Sequence, residues 1–180
     1  MDAQLQLGND AMRIMCCLRL GIPVAGEGQP CDCRIASGTT LEVHALSCPD
    51  GEARMARHDH EVRILSAMGE AAGLAVKVEP RAWAAFKDKS GVDLVFFRNT
   101  GDPLAVDFSV TSPECGTSLR LGAAERPLAA AVQREFQKVK KHGLAAAKSG
   151  WDCMGAAMET TGALGPNLKK LIDEDRKSVV

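Results

Sequence analysis

Two aspartates stand where an apolar strand gives a charge little access to water. Asp93 lies in VDLVFF (92–97) and Asp107 in LAVDFSV (104–110). A carboxylate in such a run is costly to bury unless it is paired or holds a metal ion. Each aspartate is seven residues from Thr100, within the turn-forming RNTGDP at 98–103. A hairpin centred there sets the two directly opposite each other, with Cβ atoms roughly 4.5–5.5 Å apart. Carboxylates that close repel unless a cation lies between them. Magnesium fits, because it takes one or two carboxylates, keeps several waters and binds substrate phosphate; manganese is the alternative ion. The chemistry expected of such a pair is phosphodiester hydrolysis. A register slip of one residue would send the acids to opposite faces, and solvent-facing strand ends are the plain alternative.

Hydrolysis also needs a fixed cation to orient water or to stabilise charge in the transition state. The segment from Pro127 to His142 reads as a long helix on which Glu135, Lys138 and Lys141–His142 recur every three residues and share one broad face. Lys138 or Lys141 is placed to reach the acids. Lys140 and Arg134 complete a local basic cluster suited to nucleic acid, although such a run is more often a solvated helix face. Glu79, at the end of an earlier strand, is a further candidate acid, with Glu61 as its competitor.

A second constellation lies upstream. Cys31, Cys33, His44 and Cys48 form C-x-C-x10-H-x3-C within eighteen residues, the two close pairs that a tetrahedral zinc ion needs. Four protein ligands make a closed, structural site. The surrounding Gly- and Pro-rich segment has too few apolar residues to fold without one. His58, which follows Arg57, is placed to replace His44 as the fourth ligand, to sit against DNA phosphate, or, as is commoner at a helix start, to cap the helix or face solvent.

The elements that must position these residues follow from periodicity. Residues 9–20 read as a short amphipathic helix, with Asn9 as its cap and Cys16 and Cys17 on an apolar stripe. A helix is expected from Arg57 to Ala72, with Val62, Leu65, Met68 and Ala72 on its apolar face and Gly73 as its stop. Strands are expected at 74–79, 92–97, 104–110 and 151–158, and a last helix near 166–175. The 180 residues carry a formal net charge of −1, with 46% hydrophobic residues, an ordinary globular composition. Any DNA affinity must therefore be local. No apolar run approaches the roughly 20 residues of a membrane span, and the N-terminus lacks a signal-peptide pattern. In the reducing interior this implies, an odd set of seven cysteines points to burial and metal ligation rather than disulfides.

Taken in order, the Cys/His cluster, RHDHEVRIL, a strand ending at Glu79–Pro80, VDLVFF, Asp107 (thirteen residues lie between it and Asp93), then E-x-x-K-x-x-K-H (135–142) and METTG resemble a known family. It is the restriction-like endonuclease domain of site-specific non-LTR retrotransposons, within the PD-(D/E)XK superfamily. The likeness runs from about Leu20 to Leu171. It implies that Asp93 and Asp107 are the metal-binding acids, that Lys138 and Lys141 take the lysine role, and that Arg57–His58 match the family's basic-His dipeptide. It also implies an enzyme that nicks target DNA so that the new 3′ end primes reverse transcription, with element RNA and the reverse transcriptase part of the same polypeptide as partners, in the nucleus. Three positions depart from the pattern: Val92 replaces a proline, His142 a tyrosine and Asp59 an asparagine. The lysine usual two residues after the second acid is Ser109 here. The family's preceding reverse transcriptase is lacking, so a fragment of a longer protein is expected.

The fold expected is α/β, a mixed central sheet flanked by helices with a restriction-endonuclease-like core. Its parts are an N-terminal helix (1–21), a zinc-knuckle segment (22–50) and the nuclease domain (51–180). The function expected is a metal-dependent DNA endonuclease. The rival is a nucleic-acid-binding zinc module without chemistry, kept in play by Ser109. A zinc hydrolase of small substrates is disfavoured by the closed ligand set and by the lack of a Gly-rich phosphate loop.

Overall fold

The computed structural model describes residues 52–79, 91–99 and 101–178. The chain divides into two compact units, Met1–Asp50 and Gly51–Val180. The expected N-terminal helix and the zinc ligands Cys31, Cys33, His44 and Cys48 lie outside the described residues. Among the described residues no helix is long and apolar enough to cross a membrane.

The second unit runs α1 (Glu52–Ala71), β1 (Ala75–Val78), β2 (Leu94–Phe97), β3 (Leu104–Thr111), α2 (Gly116–Arg120), α3 (Ala129–Lys148), β4 (Asp152–Glu159) and α4 (Pro166–Ser178). Its four strands form one mixed sheet in the order β1-β2-β3-β4. The first three are antiparallel neighbours, and β4 returns parallel to β3 after the α3 crossover. The α/β class with helices on a mixed sheet is therefore present.

Strand alternation sorts the core into two faces. Leu94, Phe96, Leu104, Val106, Phe108 and Ala156 pack against Val62 and Leu65 of α1 and Leu168 and Leu171 of α4. The opposite face, Val92, Val95 and Ala105, meets Ala146 of α3. Helices thus cover both faces of the sheet. Helix α1 stops where expected, at Gly73 (φ +80°). There the N–H groups of Gly73 and Leu74 bond back to Glu70 and Gly69 carbonyls, a Schellman end that a left-handed glycine permits.

One expected boundary is corrected, and one element is added. Helix α3 does not stop at His142–Gly143 but continues to Lys148. A mid-helix glycine costs only about 1 kcal/mol, which the following Leu144-Ala-Ala-Ala run and the burial of Ala146 offset. The short helix α2 has no apolar period and was not expected from sequence.

Two glycines allow close approach on the α3 side. A Cβ at Gly155 of β4 would lie 2.2 Å from the Glu135 carbonyl oxygen and 2.8 Å from Lys138 Cβ. Helix α3 therefore rests directly on β4, which brings Lys138 over the sheet. A Cβ at Gly165, before α4, would lie 2.3 Å from Glu135 Oε1.

Candidate active site

Leu94 pairs with Val106 and Val95 with Ala105, and Asp93, just before β2, gives its N–H to the Val106 carbonyl at 3.0 Å, next to Asp107 on β3. This is the register expected from a turn centred on Thr100. Asp93 leaves the strand at that point, and its Oδ2 accepts the Phe108 N–H at 2.7 Å.

Helices bring three further side chains to the acids. From α3, Lys138 Nζ donates to Asp107 Oδ1 at 2.6 Å. His142 Nε2 lies 3.0 Å from Asp107 Oδ2. That pair is an electrostatic contact rather than a hydrogen bond, since Asp107 Oδ2 is buried with no hydrogen-bond partner. From α1, on the other face of the sheet, His58 Nε2 lies 3.4 Å from Asp93 Oδ2, while its Nδ1 meets Asp59 Oδ1 at 3.2 Å. The His58 ring also lies against Phe108, with centroids 5.9 Å apart.

Electrostatics follow from this arrangement. The hydrogen bond to Asp93 outweighs burial and raises His58 to about 9, so it is cationic at neutral pH. Burial pushes Asp93 up, but His58, a hydrogen bond with Asp107 and the Phe108 N–H prevail and hold it below the usual carboxylate range. Burial dominates at Asp107, and with Asp93 nearby it raises the carboxyl to about 6 despite Lys138. Two lysine- and histidine-borne charges therefore face two carboxylates of unequal acidity.

The His58 pair makes stability depend on pH. His58 binds its proton more tightly in the folded chain than at its ordinary 6.5, so its contribution is complete below pH 6.5 and is lost as pH rises through about 9. Metal-free protein is expected to lose about 1–3 kcal/mol across that window, read from denaturant midpoints. His58→Ala should flatten the profile there; an equal decline in that variant would contradict the pairing.

The broad helix face expected of Glu135, Lys138, Lys141 and His142 splits into separate roles. Lys138 and His142 turn to Asp107, and His142 is buried rather than offered to DNA. Lys141 and Lys140 are exposed. Glu135 is buried and anchors the fold: its carboxylate accepts the N–H groups of Asn167 and Leu168 at the start of α4, each at 3.2 Å, and of Ala157 at 3.3 Å. Burial raises its carboxyl, and those N–H groups oppose the rise. Glu159, in METTG, is also buried and accepts the Ala131 N–H at 3.4 Å in the first turn of α3.

Glu79 is exposed, with a left-handed φ of +41°. It joins the site through backbone, its N–H bonding to the Asp93 carbonyl at 2.7 Å. Its competitor Glu61 is half-buried on α1, and Arg57 beside His58 is half-buried too. Ser109 is half-buried on β3, two residues past Asp107. The feature that sequence reasoning missed is the alliance of His58 with Asp93. Its only signal was a histidine one helical turn from the apolar face begun by Val62.

Among the described residues no group of three or more His, Cys, Asp or Glu is arranged to hold a metal ion. A magnesium site of two carboxylates completed by water and phosphate needs no third. Asp93 and Asp107 supply oxygen donors of the right hardness, and the unbonded, buried Asp107 Oδ2 is the atom such an ion would satisfy. No model of a known protein family matches the chain, and no curated protein matches it.

Proposed function

We propose that this chain is a divalent-metal-dependent DNA endonuclease that nicks target DNA by phosphodiester hydrolysis, of the restriction-like kind carried by site-specific non-LTR retrotransposons. The observation that carries the reading is the meeting of Asp93 and Asp107 with Lys138, whose Nζ is 2.6 Å from Asp107. Two neighbouring strands and a helix 31 residues further on supply two acids and one ammonium to one point, the set that hydrolysis of a phosphodiester uses. The sheet that positions them is consistent with such a core.

Asp93 and Asp107 would hold magnesium or manganese. The ion supplies positive charge to the scissile phosphate and to the attacking water. The chain's own groups do the rest. His58 fixes Asp93 in its ionised form and keeps its Oδ2 turned toward the Phe108 N–H. Lys138 orients the water or neutralises charge that develops on the phosphate, and so takes the role that Ser109 cannot fill from the strand. His142 adds a second nitrogen beside Asp107.

With His58 engaged at Asp93, His44 is the better fourth ligand for a structural zinc with Cys31, Cys33 and Cys48. The nucleus is where such an enzyme meets chromosomal DNA, and the reverse transcriptase part of the same polypeptide and its element RNA are its partners. The rival, a binding module without chemistry, is kept in play by Ser109, and the contact of Lys138 with Asp107 favours the nuclease reading over it.

The test is the chemistry of the cut end. Hydrolysis for primed synthesis leaves a 3′-hydroxyl, so nicks made with magnesium should be extended directly by a DNA polymerase. Ends that extend only after phosphatase treatment would rule out the proposed reaction.

A further inference from the structure

Helix α3 has two unlike edges. At about 100° per residue, Arg134, Lys141 and Lys148 fall within about 80° of Lys138, all on one side of it. All three are exposed. Gln137, which accepts from Arg134 at 3.3 Å, lies on the same edge. The other edge is apolar, with exposed Val132, Phe136 and Val139. Lys140 projects about 160° away from Lys138 and about 80–120° round the helix from the other three. Among the described residues of α3, the single acid, Glu135, is buried under α4.

We infer that the edge Arg134–Lys138–Lys141–Lys148 is a track for the phosphate backbone of the DNA strand being cut. The inference rests on the nuclease reading and adds to it the surface along which the substrate strand runs. Three features support it. The row spans about 21 Å of helix, the length over which one strand of B-DNA presents about six phosphates. It carries no exposed carboxylate to compete with phosphate for the cations. One member, Lys138, is also the ammonium at Asp107, so a strand held on the row is delivered to the acids. An exposed basic face with no target need not lead to a catalytic group; this one does.

The test measures affinity of the whole chain for a fluorescein-labelled duplex of mixed sequence, by anisotropy, without added magnesium or manganese, from 50 to 200 mM KCl. Each phosphate contact adds about 0.9 to the slope of log affinity against log salt. The combined Arg134→Gln, Lys141→Gln, Lys148→Gln variant should reduce that slope by about 2–3 and weaken binding at least tenfold at 50 mM salt. Lys140→Gln alone should change the slope by less than about 0.5. The substitutions are on the surface, and an unchanged melting temperature checks that the fold is kept. A triple variant with the wild-type slope would overturn the track, as would Lys140→Gln matching the triple variant. A slope loss seen with duplex RNA and not with DNA would also overturn it. The outcome is separable from that of the nuclease reading. Nicking by a chain whose triple variant binds normally keeps the nuclease and removes the track. Binding along the row by a chain that never cuts does the reverse.

Discussion

Replacing Lys138 with methionine is expected to lower the single-turnover rate of DNA nicking about 10²–10³-fold, with duplex affinity reduced only a few-fold. The basis is the 2.6 Å contact of its ammonium with Asp107 and its burial on the sheet side of α3, where side-chain exposure is 22%. A preorganised donor in such a site contributes about 3–4 kcal/mol to the transition state. Methionine keeps the length and apolar stem, so the α3–β4 packing at Gly155 is preserved. Lys138→Arg should recover part of the rate, since it keeps the charge. Lys141→Met is the comparison: that side chain is exposed and should cost rate only through binding. A large loss with Lys141→Met and none with Lys138→Met would reverse the assignment of roles.

The second large effect concerns stability. Glu135→Ala removes the acceptor of three backbone N–H groups, from Ala157, Asn167 and Leu168. Buried donors left without a partner cost about 1–3 kcal/mol each, and relief of the carboxylate's own burial offsets part of the sum. A net loss of about 3 kcal/mol, or roughly 10 °C in melting temperature, is expected. Glu135→Gln keeps one oxygen and should lose about half as much. Within the E-x-x-K pattern the glutamate is thus a structural anchor that ties α3 to α4, and the lysine is the residue proposed for the chemistry. Wild-type melting of Glu135→Ala would show the anchor to be unimportant.

The parts legible in the sequence were those governed by short periods. Asp93 and Asp107 could be set opposite each other because strand alternation has a period of two and RNTGDP marks the turn between them. The face of α1 was legible for the same reason at a period near 3.6, and Val62 and Leu65 are buried as expected. Helix period also gathered Glu135, Lys138, Lys141 and His142, but it could not divide them. Which way each points depends on where β4 and α4 pass, and those contacts lie 17 to 33 residues away in sequence. A like separation in sequence hid the pairing of His58 with Asp93. Gly155 stands in β4 because α3 comes too close there for a side chain. Gly143 misled as a helix stop because burial further along outweighed its local cost.

The most direct measurement is conversion of supercoiled plasmid to open circles by the purified chain with magnesium or manganese, wild type beside Asp107→Ala. The two-acid site predicts nicking that needs the metal and is lost in the variant, with its DNA binding retained. Metal-dependent nicking that survives Asp107→Ala would contradict it.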